Sequence, residues 1–201
     1  MERITLKRLD LGLAVTFGVM TVAFVVAAFG SDVFMQWVFA RHHNVASWYI
    51  RPLFLIPLCF FAYRRSWAGV FGTIFAVLTS MFWFPAPAVI DPQVATFLKM
   101  EQEYLTGDWG AWKILLTSLV PVSLAGLVFA FWKRSLWLGI GVIVFIAAAK
   151  MLWSVAFGGE SGRTVLAPAI IALVVCVAAI WLGFRRLHRN RSEERRVGKA
   201  G

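Results

Sequence analysis

Six apolar stretches constrain this chain more than any other feature of its sequence. A helix needs about 20 predominantly apolar residues to cross a bilayer, because it rises 1.5 Å per residue through roughly 30 Å of hydrocarbon. With 60% hydrophobic and 15% charged residues, the chain is also more apolar than a soluble domain. We therefore predict an all-α, polytopic bundle of six transmembrane helices. They cover residues 11–29, 45–63, 67–84, 112–132, 136–157 and 165–184.

Four clusters of basic residues fall on one side of this six-span topology. They precede the first helix, join the second to the third and the fourth to the fifth, and follow the sixth. They are Arg3, Lys7, Arg8, Arg64, Arg65, Lys133, Arg134, Arg185, Arg186 and Arg189. The positive-inside rule places them in the cytoplasm. We therefore predict a multi-pass protein of the plasma (inner) membrane with both termini cytoplasmic. The net charge of +10 is then a topology signal, and nucleic acid is not expected as a partner.

The last residues of the chain differ in character from the rest. The string "RSEERRVGK" resembles the translation of a common sequencing-adapter oligonucleotide. We therefore expect one transmembrane domain over residues 1–190, followed by a basic tail, residues 191–201, that is an artefact without function.

The longest outer segment predicts an amphipathic helix over about 92–106. Asp91 before Pro92 forms an N-cap with proline at the first helical position. The apolar residues that follow fall on one face at helical spacing, and we expect the helix to lie flat on the outer surface. Glu101 is the exception, because it sits on that apolar face. The segment at about 32–42 predicts a second such helix, with Phe34, Trp37, Val38 and Arg41 on its apolar face.

Three cations lie at similar depth near the outer ends of the helices: Arg51, Lys113 and Lys150. Residues 50–63 alone would make a helix of only about 21 Å, so the second span must begin nearer residue 45, which places Arg51 inside. Lys150 is the deepest of the three. The competing interpretation is snorkelling, in which long side chains reach back to water.

A carboxylate on the outer helix offers these cations a partner. Our hypothesis is that the 92–106 helix folds over the outer mouth of the bundle and points Glu101 at Arg51 or Lys150. A charge held inside a membrane protein is costly unless it is paired, and such residues commonly mark functional sites. Asp10, at the inner end of the first helix, is expected to favour the dipole of its own helix and to face water.

These residues favour two functional classes. In the first, the protein binds or transports a small anionic solute or lipid head group at an outer-leaflet site. The candidate residues for that site are Arg51, Glu101, Lys150, Lys113, Asp91, Trp109 and Trp112, with Trp153 in the apolar rim. In the second, it is a non-catalytic accessory or assembly subunit that docks a partner membrane subunit. We expect no cofactor and no metal, since His42 and His43 lack companions at ligand spacing.

Enzyme activity is the third and weakest alternative. The sequence has no HExxH, GxSxG or P-loop motif. Separately, the turns "FAYRRSW" and "FAFWKRSLW" resemble each other, as do the strings that follow them. A duplicated hairpin and convergence on aromatic and basic membrane boundaries both explain the likeness between residues 61–86 and 129–157.

Overall fold

The computed structural model describes residues 2–197, and the side chains of residues 4–186. The described chain is 87% helical and has no strand, which confirms the all-α class. Its α-helices are α1 (Glu2–Gly30), α2 (Asp32–His42), α3 (Ala46–Leu53), α4 (Leu55–Arg64), α5 (Trp67–Thr79), α6 (Pro92–Thr106), α7 (Ala111–Trp132), α8 (Leu136–Gly162) and α9 (Leu166–Val197). Single 3₁₀ turns at Ser80–Phe82 and Arg163–Val165 follow α5 and precede α9. The side chains of the predicted artefact, residues 191–201, lie outside the described residues.

Four helical segments of the described chain are long and apolar enough to cross a membrane: Ile4–Gly30, Ala46–Arg64, Ala111–Trp132 and Leu136–Arg186. The apolar helix Trp67–Phe82 is shorter. The predicted fifth and sixth spans fall together in the 51-residue segment that begins at Leu136. Helix length and hydropathy therefore establish an apolar, membrane-compatible helical protein with four candidate spans, and not the predicted count of six.

Helix α1 begins earlier than the sequence predicted. We expected its basic residues to precede the helix, but α1 starts at Glu2 and includes them. Lys and Arg are good helix formers, so the helix continues past the apolar stretch.

A glycine-rich reversal joins α8 to α9. Gly159 has φ 54° and ψ −127°, so the helix is interrupted there by a conformation that favours glycine. Three residues later, Gly162 lies against the Ser154 carbonyl so closely that an added Cβ would overlap it. After this reversal α9 packs back against α8. The 51-residue segment is therefore two helices folded on each other.

Proline divides the second apolar stretch into two helices. Helix α3 ends at Leu53 and α4 begins at Leu55, with Pro52 inside α3 and Pro57 in the first turn of α4. Proline has no N–H to donate to the preceding turn, so carbonyl groups there lose their helical partner. The Sγ of Cys176, on α9, donates to the Pro52 carbonyl at 3.5 Å, and α3 packs against α9.

The two similar turns share a backbone conformation as well as a sequence. In each, the residue before the serine is left-handed: Arg65 with φ 59° and Arg134 with φ 58°. In each, a phenylalanine ring also lies directly on a glycine of the next helix, the pairs being Phe61 with Gly69 and Phe131 with Gly139. Duplication and convergence both remain explanations, because either produces a common turn.

Asp10 is not placed as predicted. Its carboxylate accepts hydrogen bonds from the Ser66 hydroxyl at 2.6 Å and from the backbone N–H groups of Trp67 at 3.0 Å and Ala68 at 3.3 Å. It therefore caps the start of α5 and not the dipole of its own helix. The reason is that the first N–H groups of α5 have no helical acceptor and carry partial positive charge.

Two apolar cores lie within the described part of the bundle. The first joins α4, α5, α7, α8 and α9 around Leu127 and Phe131, which are fully buried. In the second, α2, α3 and α6 pack around Trp48, Phe97 and Leu98. This second core fixes α6 on the bundle and so positions the site below.

Candidate functional site

Helix α6 has the predicted bounds and is packed by its apolar face. The Asp91 carboxylate accepts hydrogen bonds from the N–H groups of Gln93 and Val94, at 2.7 and 3.2 Å. About two turns on from Asp91, Phe97 and Leu98 are 2% and 1% exposed. The helix therefore rests on protein at this face, while its position on the outer membrane surface stays a prediction. That packing points Glu101, one turn further on the same face, toward the bundle.

Glu101 and Lys150 form an ion pair that links α6 to α8. The distance from Lys150 Nζ to Glu101 Oε1 is 2.7 Å, and the two side chains are 44% and 19% exposed respectively. The Lys150 ammonium also lies 4.7 Å from the centre of the Trp153 ring and 5.4 Å from that of Phe97. Carboxylate and aromatic faces together stabilise a cation that lies partly out of water.

Arg51 approaches the same carboxylate but is not satisfied by it. Burial alone would raise the pKa of Glu101; the charge of Lys150, their hydrogen bond and the charge of Arg51 outweigh it and hold the pKa below its usual value. The Nε and Nη2 atoms of Arg51 are nevertheless buried and have no hydrogen-bond partner in the part of the chain that the structure describes. A buried charged donor without an acceptor costs more than about 1–3 kcal/mol, the range for a neutral one. These two nitrogens lie on one edge of the guanidinium, which is therefore its unsatisfied edge.

His42 belongs to this cluster, although its position in the sequence did not indicate it. Its side chain is buried, and its Nδ1 lies 2.9 Å from Ser47 Oγ, whose hydroxyl donates to the Asn44 carbonyl at 2.8 Å. Nδ1–H must therefore be the donor to Ser47. Burial lowers the pKa of His42 well below its usual value, and the charges of Arg51, Lys150 and His43 lower it further. The ring is therefore a neutral member of the cluster.

The buried face of α2 explains why His42 was missed. We predicted that Phe34, Trp37, Val38 and Arg41 share the apolar face, but the buried residues are Met35, Val38, Phe39 and His42. The spacing of these four is equally helical, so counting histidine as apolar would have found the face. Arg41 instead donates from Nε to the Phe82 carbonyl at 2.9 Å.

The other predicted site residues lie apart from the cluster. Lys113 donates to the Gly107 carbonyl at 2.8 Å and stands 4.4 Å from the centre of the Trp109 ring. Trp109 and Trp112 are 45% and 68% exposed. Asp91 serves α6 as its N-cap. The structure thus brings together Arg51, Glu101 and Lys150, and leaves Lys113, Asp91, Trp109 and Trp112 outside.

Neither of the two best-formed clefts in the described chain contains the cluster. One, of about 650 Å³, lies between α1, α4 and α5 and reaches Asp10. The other, of about 400 Å³, lies between α7 and α8 near Trp137. Within the residues that the structure describes, no group of three or more His, Cys, Asp and Glu side chains is arranged to hold a metal.

Comparison with known proteins gives no match: no family model fits the chain, and no curated protein or solved structure is significantly similar to it. Any function must therefore be argued from the residues themselves.

Acid should destabilise this cluster in two pH windows. The pKa of His42 lies below 6.5 in the folded chain, so the unfolded chain binds a proton first and stability falls as the pH drops below about 6.5. The pKa of Glu101 lies below 4.5 in the folded chain. Its contribution to the free energy of unfolding is therefore present above about pH 4.5 and is lost as the pH falls further. Melting temperatures in detergent from about pH 8 to about pH 3 check both windows.

Two variants assign the upper window. His42→Asn keeps a donor for Ser47 but cannot titrate, so the loss that begins near pH 6.5 should disappear while the lower window remains. His43→Asn, at the neighbouring position, should keep both windows. If the upper loss survives in His42→Asn, the histidine is not its source.

Proposed function

We propose that the chain crosses the membrane six times, as an anion-binding protein of the plasma membrane with both termini in the cytoplasm. The reversal after Gly159 supports two crossings within Leu136–Arg186. The helix Trp67–Phe82, about 24 Å long, packs against α1 and α4, so a locally thinned bilayer would accommodate it. The four basic clusters then lie on the cytoplasmic side and the Arg51 cluster on the outer side.

The proposed activity is binding, or binding followed by transport, of a small oxyanion carried by a solute or a lipid head group. The single observation that carries it is the free edge of Arg51. The Nε–H and Nη2–H bonds of a guanidinium are parallel, and they match two oxygens of one carboxylate or phosphate. In Arg51 both atoms are buried without an acceptor.

The charge of the cluster supports the same function. Arg51 and Lys150 carry two positive charges and Glu101 one negative charge, while the neutral His42 adds none. Lys150 is engaged by Glu101 at 2.7 Å, which leaves Arg51 as the cation with unused donors. An oxyanion at Arg51 would supply the missing acceptor and neutralise the cluster.

The test is oxyanion binding by the detergent-solubilised protein. Dimethyl phosphate is titrated while tryptophan fluorescence is followed, since Trp48 and Trp153 border the cluster. Arg51→Lys should weaken binding at least about tenfold, because an ammonium cannot present two parallel donors. Arg51→Gln should abolish measurable binding.

Lys113→Gln is the matched control, because Lys113 is an outer cation satisfied elsewhere, by the Gly107 carbonyl. It should bind dimethyl phosphate as the wild type does. Equal losses of affinity in Lys113→Gln and Arg51→Gln would mean that binding depends on the total outer positive charge and not on Arg51 in particular. Absence of binding by the wild type would reject the proposal outright.

The alternative function is a non-catalytic accessory subunit that docks a partner membrane protein. It is favoured by the exposed apolar residues Val33, Val89 and Trp112, which are 78%, 88% and 68% exposed, and by the clefts, which do not reach the cluster. Under this alternative dimethyl phosphate does not bind. Trp112→Ser, and not Arg51→Gln, would then reduce the size of the native complex extracted from membranes in mild detergent.

A further inference from the structure

We infer that the ligand of the Arg51 cluster is a monoanion with two coplanar oxygens, as in a phosphodiester or a carboxylate, and not a dianionic phosphate monoester. The inference rests on the proposed oxyanion binding and narrows it to one charge class. It follows from the ion pair that already occupies the cluster.

The cluster carries one excess positive charge. Glu101 neutralises Lys150 across 2.7 Å, and Arg51 is the second cation near the same carboxylate. His42 is held neutral by its position between Ser47 and the rings of Phe39 and Trp48. A monoanion would bring the total to zero, whereas a dianion would leave an uncompensated negative charge in a partly dry site.

The other outer ion pairs do not alter this count, because they are exposed and separate from the cluster. Lys99 pairs with Glu103 at 3.9 Å on the opposite face of α6, and Arg163 pairs with Glu160 at 3.2 Å. Their side chains are all more than 60% exposed, so water screens their charges.

A further unpartnered polar group lies on the helix that carries Lys150. Ser154 is fully buried, and its hydroxyl has no hydrogen-bond partner among the described residues. It follows Lys150 by four residues on α8, so the two side chains share one face of the helix. One face of α8 thus carries both the paired ammonium and a free hydroxyl.

The test compares two probes that differ by one methyl group and one charge. Binding of dimethyl phosphate, a monoanion, and of methyl phosphate, mostly a dianion at about pH 7.5, is measured by calorimetry on the full chain in detergent. We expect the wild type to bind dimethyl phosphate at least about tenfold more tightly. Acetate should rank with dimethyl phosphate, because it has the same charge and the same pair of oxygens.

Glu101→Gln supplies the decisive comparison, because it raises the excess from one positive charge to two. The variant should bind methyl phosphate more tightly than the wild type does and should lose or reverse the tenfold preference. Glu103→Gln is the matched control, two residues along the same helix on its exposed face, and should keep the wild-type preference.

The outcomes separate the two proposals. If the wild type binds methyl phosphate as tightly as dimethyl phosphate, the inference of a monoanionic ligand is wrong, while the proposed oxyanion binding stands. No binding of either probe would overturn both. A lipid source is supported if phosphatidylglycerol nanodiscs compete with dimethyl phosphate, and a soluble source if they do not; both results require the monoanion preference in the wild type.

Discussion

Replacing Gly162 by alanine should destabilise the chain by about 3 kcal/mol, the upper part of the range for overpacked sites. An alanine Cβ there would overlap the Ser154 carbonyl, which is backbone and cannot turn aside as a side chain would. Relief requires the turn after Gly159, which carries Gly162 and leads into Arg163–Val165, to move away from the body of α8, against which it packs. Chemical unfolding in detergent, followed by circular dichroism, measures the loss.

Gly141→Ala is the matched control for this prediction. Gly141 lies on the same helix, α8, and nothing lies within 4 Å of a Cβ built at this position. Because glycine inside a helix costs about 0.5–1 kcal/mol relative to alanine, this variant should be slightly more stable than the wild type. Equal stabilities of the two variants would mean that Gly162 does not lie as close to the Ser154 carbonyl as this contact requires.

Much of the candidate site was predictable because it depends on short sequence patterns within single helices. The Asp91–Pro92 cap marks where α6 begins, and helical spacing places Glu101 with Phe97 and Leu98 on one face. A carboxylate on such a face needs a cation, and few cations lie at the right depth. The sequence alone therefore narrowed the partners of Glu101 to Arg51 and Lys150, and in the structure Lys150 contacts Glu101.

The rest depends on contacts between distant residues, which local patterns do not encode. Asp10 caps α5 across 56 residues of chain, and no spacing rule relates it to Ser66. His42 became part of the site only because α2 rotates its Met35 and Phe39 face inward. The number of membrane-spanning helices depends on such a contact as well, because hydropathy alone does not reveal the reversal at Gly159 inside a continuous apolar stretch.

Reversing the charge of Glu101 should be strongly destabilising. Glu101→Lys would place a third cation beside Arg51 and Lys150 and remove the only carboxylate in contact with Lys150 among the described residues. Breaking a buried ion pair costs about 3–5 kcal/mol, but Lys150 is 44% exposed, so we expect about 2 kcal/mol. Unfolding in detergent is again the measurement.

The reciprocal swap tests whether the loss belongs to the pair. Lys150→Glu alone should also destabilise, because it sets two carboxylates against each other. Glu101→Lys combined with Lys150→Glu restores opposite charges across the same contact, so the double variant should recover at least about half of the summed losses. Lys99→Glu with Glu103→Lys is the control swap on the exposed face of the same helix, and it should leave stability within about 0.5 kcal/mol of the wild type. If the losses in free energy of unfolding at Glu101 and Lys150 simply add, the two residues are not coupled. The docking of α6 on α8 would then depend on the packing of Phe97 and Leu98 alone.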